Sequence, residues 1–143
     1  MTVRACVDFR YMACSDVLNE LSREGFDKFP SRETETAVLD AVTRAVFDAS
    51  TDVASLAIKC VSLTLRRGDG TSSERVCREL CGYVSGSGKD VERRDAAAMC
   101  LKTIVSELGG VENEAQEATL RVCVPALADM VGSSARDGAS GEE

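Results

Sequence analysis

The 143-residue chain has no histidine and no tryptophan, only two prolines, and no more than four phenylalanines and two tyrosines. Without histidine the commonest general base is missing, and with it the usual Ser–His and Cys–His dyads. Few prolines and aromatics, set against abundant Ala, Val and Leu, favour close-packed helices over a strand-built core, because Ala and Leu lose little on entering a helix. No run reaches the ~18 apolar residues of a membrane span. Met1–Arg10 carries charges at Arg4 and Asp8 and lacks the apolar centre of a secretory signal. A basic stripe is missing too. Seventeen Lys and Arg against 24 Asp and Glu give a formal charge of −7, which repels a phosphate backbone and argues against nucleic acid as partner. The basic pairs Arg66-Arg67 and Arg93-Arg94 are single steps on helices, the first read as neutralising a helix end.

What the chain does have is cysteine, at positions 6, 14, 60, 77, 81, 100 and 123. None forms a CxxC pair and most fall in apolar helical stretches, so they read as reduced, small buried hydrophobes. That places the chain inside the cell, in cytoplasm or nucleus.

Hydrophobic spacing and its punctuation predict six helices. The first runs from about Asp8 to Glu24 with Met12, Ala13, Val17, Leu18 and Leu21 inward. Pro30-Ser31 opens a second, to about Asp48, burying Val38, Leu39, Val42, Ala45 and Val46. Ser50, Thr51 or Asp52 caps a third carrying Leu56, Ala57, Cys60, Val61, Leu63 and Leu65, which Arg66-Arg67-Gly68 ends with glycine in the left-handed position. Thr71-Ser72-Ser73-Glu74 has capping-box spacing and precedes a fourth with Val76, Cys77, Leu80, Cys81 and Val84 inward. A fifth spans Asp90 to Leu108, closed by Gly109-Gly110. Glu112 and Glu114 favour the start of a sixth that ends near Val131-Gly132. Pro125 should kink this last helix or mark its true start. Residues 133–143 offer nothing to bury and read as a disordered tail after a folded unit of 1–132.

Internal repetition fixes the class. Segments starting at Phe9, Val53 and Arg93 align with alanine in the fifth column (Ala13, Ala57, Ala97). The ninth column is aliphatic (Val17, Val61, Leu101), as is the position four further on (Leu21, Leu65, Val105). The offsets, 44 and 40 residues, match the helix-pair period of HEAT and armadillo proteins. The expected fold is therefore all-α, a solenoid of about three HEAT-type hairpins, with the second helix of each pair on the partner-binding face.

Sites for chemistry fail individually. Gly82–Lys89 lacks phosphate-loop spacing, since Tyr83 stands six before Lys89 and Asp90 follows it. Cys77 and Cys81 share a helical face but lack the complement of a zinc site. Glu112 and Glu114 read as helix-start charges. No cofactor and no catalytic residue is expected, and the chain reads as a non-enzyme.

The stretches Asp8-Phe9-Arg10-Tyr11-Met12-Ala13, Asp16-Val17-Leu18-Asn19-Glu20-Leu21, Leu56-Ala57-Ile58-Lys59-Cys60 and Leu101-Lys102-Thr103-Ile104-Val105-Ser106-Glu107-Leu108, in that order, resemble the Cand family of cullin-associated and neddylation-dissociated proteins. The likeness runs from about Asp8 to Val131. It implies a long HEAT solenoid that wraps a cullin and its RING subunit, binds cullins lacking the ubiquitin-like modifier, and takes part in SCF complex assembly and substrate-receptor exchange. By the same resemblance the N-terminal repeats engage the cullin's C-terminal and RING side, while the adaptor-displacing end lies far away. This chain carries three helix pairs, so partial cullin binding is expected, with a split subunit, a truncated paralogue or an incomplete gene model as explanations and a separately encoded remainder as a possible partner.

The residues opposite the apolar stripes of the second helices are the candidate contacts: Asp40, Arg44, Arg75, Arg78, Glu79 and Arg121. Each is also readable as an ordinary solvated charge. A HEAT module with a different client, such as a transport or phosphatase scaffold, and a fragment without independent function are the alternative readings.

Overall fold

The computed structural model describes residues 3–68, 70–85, 90–108 and 114–140. They form six helices: α1 (Val3–Ser22), α2 (Arg32–Ala45), α3 (Thr51–Arg67), α4 (Gly70–Ser85), α5 (Val91–Leu108) and α6 (Glu114–Ser140). Among the described residues there is no strand, and no helix is long and apolar enough to cross a membrane.

Local chemistry sets several of these boundaries. Ser31 caps α2, its Oγ accepting from the Thr34 N–H at 3.1 Å. Ser50 caps α3 through the Val53 N–H at 3.5 Å, and Asp90 accepts from the Arg93 N–H at 3.1 Å ahead of α5. Each satisfies one of the N–H groups that a helix start leaves without an internal partner. Other boundaries moved. α1 begins at Val3, ahead of the expected Asp8. α2 stops at Ala45, after which Val46, Phe47 and Asp48 turn tightly on carbonyls of the last turn. α4 begins at Gly70, so Thr71 lies within the helix instead of ahead of it. Gly109-Gly110 and Glu112 lie outside the described residues. The backbone of α6 continues to Ser140, past the expected end near Val131-Gly132, and the expected tail falls on residues whose side chains lie outside the described set. Pro125 lies within α6, so the Arg121 carbonyl receives no N–H from it.

The helices form two layers. α3 is the centre of one: α1 and α5 flank it, and α2 lies against it, while α4 packs between α5 and α6. The first hairpin thus meets the second and the second meets the third, as a solenoid requires. Val53, Ala57, Cys60, Val61 and Leu65 of α3 are fully buried with Leu39, Val46, Val76, Cys77 and Leu80. Burying a side chain such as Leu65 or Leu80 contributes on the order of 2 kcal/mol. Across the layer the Cys60 thiol donates to the Cys14 carbonyl at 3.3 Å.

Two expectations are corrected here. Met12 and Ala13 face outward, Met12 being 58% exposed. As an edge helix, α1 has α3 as its main neighbour, so Cys14 and Leu21 take the buried positions and the alanine column is buried only at Ala57 and Ala97. Gly68 is extended (φ −94°, ψ −173°), not left-handed. Glycine serves there for space, since a Cβ would run into the carboxylate of the buried Glu35, 2.8 Å from its carboxyl carbon. Arg67, like Arg66, stands in the last turn of α3, at its negative end, as expected. Its Nη1 donates to the Phe26 carbonyl at 2.7 Å and its guanidinium lies 5.8 Å from the Phe26 ring centre, fastening the loop between α1 and α2 to the end of α3.

Candidate functional site

The apolar stripe of α2 and the turn that follows it (Leu39, Val42, Val46) turns inward, which leaves Asp40, Thr43, Arg44 and Phe47 along one edge. On α4, burial of Val76, Leu80 and Val84 leaves Arg75, Glu79 and Tyr83 along the opposing edge. These seven residues line a groove of about 410 Å³. Four of the six candidate contacts, Asp40, Arg44, Arg75 and Glu79, therefore meet in one place. Asp40 accepts from Arg75 Nη2 at 2.9 Å across the groove. Phe47 and Tyr83 pack at its end with ring centres 4.7 Å apart, and Arg93 of α5 sits 5.9 Å from the Phe47 ring centre.

The other two candidates lie beside the groove rather than in it. Arg78 pairs with Glu74 one turn earlier at 2.6 Å, and Arg121 pairs with Glu117 at 3.2 Å. Arg78 holds the Glu74 carboxyl below its usual range, with a smaller pull from Arg121 of α6. A row of alternating charge thus runs from α2 over α4 to α6. Its members are exposed or half-exposed, so each pair contributes little to stability and is available to a partner.

Sequence reasoning missed Glu74 and Glu117, although Glu four residues before Arg is a legible helix pairing. It also missed Phe47 and Tyr83. Their signal was scarcity: two of six aromatics stand next to charged candidates.

The buried thiols form a second cluster. Cys123 of α6 lies close enough to Cys77 and Cys81 of α4 for the thiols to influence one another, and together with burial this raises the Cys123 thiol far above its ordinary range. Burial pushes the Cys81 thiol up to about 11 and Cys100, on α5, up to about 12, which makes them inert at neutral pH. Among the described residues no group of three His, Cys, Asp or Glu is placed to hold a metal ion.

Stacked helical hairpins carrying an open, mixed-charge groove define a HEAT-like helical-repeat protein. The Cand-family resemblance read from the sequence is borne out by curated relatives, as a partial and distant match. Cullin-associated NEDD8-dissociated protein 1 of Arabidopsis thaliana is 31% identical over 101 residues, 71% of this chain and 8% of the relative. Cullin-associated NEDD8-dissociated protein 2 of Mus musculus is 31% identical over the same shares. The Dictyostelium discoideum protein of the first name is 22% identical over 120 residues, 84% of this chain and 10% of the relative. The chain therefore spans about a tenth or less of the length of these relatives. No family model matches it.

Proposed function

We propose that the chain is a non-catalytic scaffold that docks on a cullin–RING ubiquitin ligase and acts, inside the cell, in the assembly of SCF-type complexes. The observation that carries this reading is the similarity, at 31% identity over 101 residues, to proteins from a plant and an animal that are both named for association with cullins. A helical-repeat fold with an open groove supports it, because such surfaces take up extended protein partners. The contribution proposed is binding to the unmodified cullin and its RING subunit. In this reading the chain contributes to substrate-receptor exchange through its contact with the cullin.

The test is a pull-down of the purified chain with a cullin–RING complex, with and without its ubiquitin-like modifier. Selective, stoichiometric retention on the unmodified complex is the expected result. Equal retention on both forms, or none by a chain shown to be folded, overturns the reading and leaves a helical-repeat module with another client.

A further inference from the structure

The first hairpin is splayed. α1 and α2 each pack on α3, and between them lies a cleft of about 340 Å³ walled by Ala13, Cys14 and Val17 on one side and Ala41, Val42 and Ala45 on the other. Small side chains facing each other normally let two helices approach closely. Here they border a slot about one helical turn long, since Ala13–Val17 and Ala41–Ala45 are each four residues apart.

Charge at the mouth is uneven. Arg10 and Asp48 also line the cleft, but they neutralise each other, with Arg10 Nε and Nη2 on the two carboxylate oxygens at 2.6 and 3.1 Å. Arg44 is different. It lines both this cleft and the groove between α2 and α4. The nearby Asp40 carboxylate is engaged by Arg75, leaving Arg44 a long 3.4 Å contact to the Asp40 main-chain oxygen. In a chain of formal charge −7, this is a cation without a carboxylate partner among the described residues, beside an apolar slot.

We infer that the cleft docks an amphipathic helix of a partner protein, with one aliphatic anchor, or two spaced four apart, between α1 and α2 and an acidic residue on Arg44. The apolar slot supplies the helix-in-groove mode of recognition, and Arg44 fixes its register and selects acidic over basic segments. The inference rests on the reading of the chain as a partner-binding scaffold, not on the partner being a cullin.

The test is an NMR titration of the full ¹⁵N-labelled chain with a synthetic helical peptide that carries two leucines four apart flanked by glutamates. Amide shifts centred on Ala13, Val17, Ala41 and Ala45 are expected. Arg44→Glu should weaken binding by roughly tenfold, the scale of one good charge pair, while Arg44→Lys retains most of it. Ala41→Phe, a substitution at an exposed position, should obstruct the slot and abolish the shifts without unfolding the chain. Shifts scattered over other surfaces, no binding, or a Kd indifferent to Arg44→Glu overturns the inference. So do shifts that depend on chain concentration alone, which would give the cleft to a second copy. Peptide binding by a chain that no cullin–RING complex retains upholds the cleft and removes the cullin reading. Arg44→Glu that loses the peptide yet is still retained by the complex upholds both, with the cullin contact elsewhere.

Discussion

At the scale of the residue, the buried cysteines and one ion pair give the stability of the fold a dependence on pH. Burial raises Cys60 and Cys100 to about 12, against about 8.5 for an exposed thiol. Between those values the unfolded chain has lost protons that the folded chain keeps, so stability falls as pH rises, by up to about 1.4 kcal/mol per pH unit for each such thiol. The urea midpoint should therefore drop markedly between pH 8 and pH 10, and Cys60→Ala with Cys100→Ala should flatten that slope even though it lowers the midpoint at pH 8. An unchanged slope would assign the alkaline limb to other groups. The acid limb has a different origin. The Arg10 guanidinium, helped by the Ser50 N–H, holds the Asp48 carboxyl below its ordinary range. Its contribution is present above about pH 3.9 and is lost as pH falls through the lower folded value. Arg10→Gln should thus lower the urea midpoint at pH 6 and leave a smaller difference from wild type at pH 2.5.

At the scale of the element, helix ends and packing faces decide what the sequence revealed. Ser31, Ser50 and the run of Val76, Cys77, Leu80, Cys81 and Val84 were legible because capping and 3.6-residue periodicity are local rules. Gly68 was not. Its sequence setting, two arginines then glycine, is that of a left-handed cap, but its role comes from Glu35, 33 positions earlier, whose carboxylate packs against it. The extended φ of −94° is open to any residue, so Gly68→Ala tests space and not backbone strain. The nearest atoms are the far end of the flexible Glu35 side chain, which has to move aside, so the destabilisation should lie at the low end for an overpacked site, about 1 kcal/mol. Glu35→Ala should relieve most of that, so that the double variant is more stable than the sum of the single effects. Additive effects, read from urea unfolding, would mean that the glycine is needed for another reason. Met12 and Ala13 were misplaced for a related cause. Periodicity finds an apolar face but does not say whether the helix is an edge, and on α1 the buried residues are Cys14, whose carbonyl meets Cys60 of α3, and Leu21.

At the scale of the whole molecule, the repeat was legible from three short segments 44 and 40 residues apart, because stacked hairpins impose the same burial on equivalent positions. Val61 and Leu101 of its ninth column are buried, and Val17 packs against the same core. The site was legible only in part. Asp40, Arg44, Arg75 and Glu79 lie on the polar edges of two helices, and nothing local says that those edges face one another across a groove. The stacking order has a dynamic consequence as well. In a solenoid, stability is a sum of repeat and nearest-neighbour terms, so a central repeat is held from two sides and a terminal one from one. α3 is packed by α1, α2 and α5 and keeps Val53, Ala57, Cys60, Val61 and Leu65 from solvent, whereas α1 exposes Phe9 and Met12 and α6 exposes Val124 and Val131. Local opening follows that difference in burial. Amide hydrogen exchange at neutral pH should therefore be slowest in α3, faster in α1 and in the second half of α6, and intermediate in α5. Mild denaturant should speed exchange in the terminal helices before it reaches α3. Uniform protection, with every helix exchanging through one global opening, would show that the six helices behave as a single cooperative bundle, and the repeat alignment would then describe ancestry without describing how the molecule holds together.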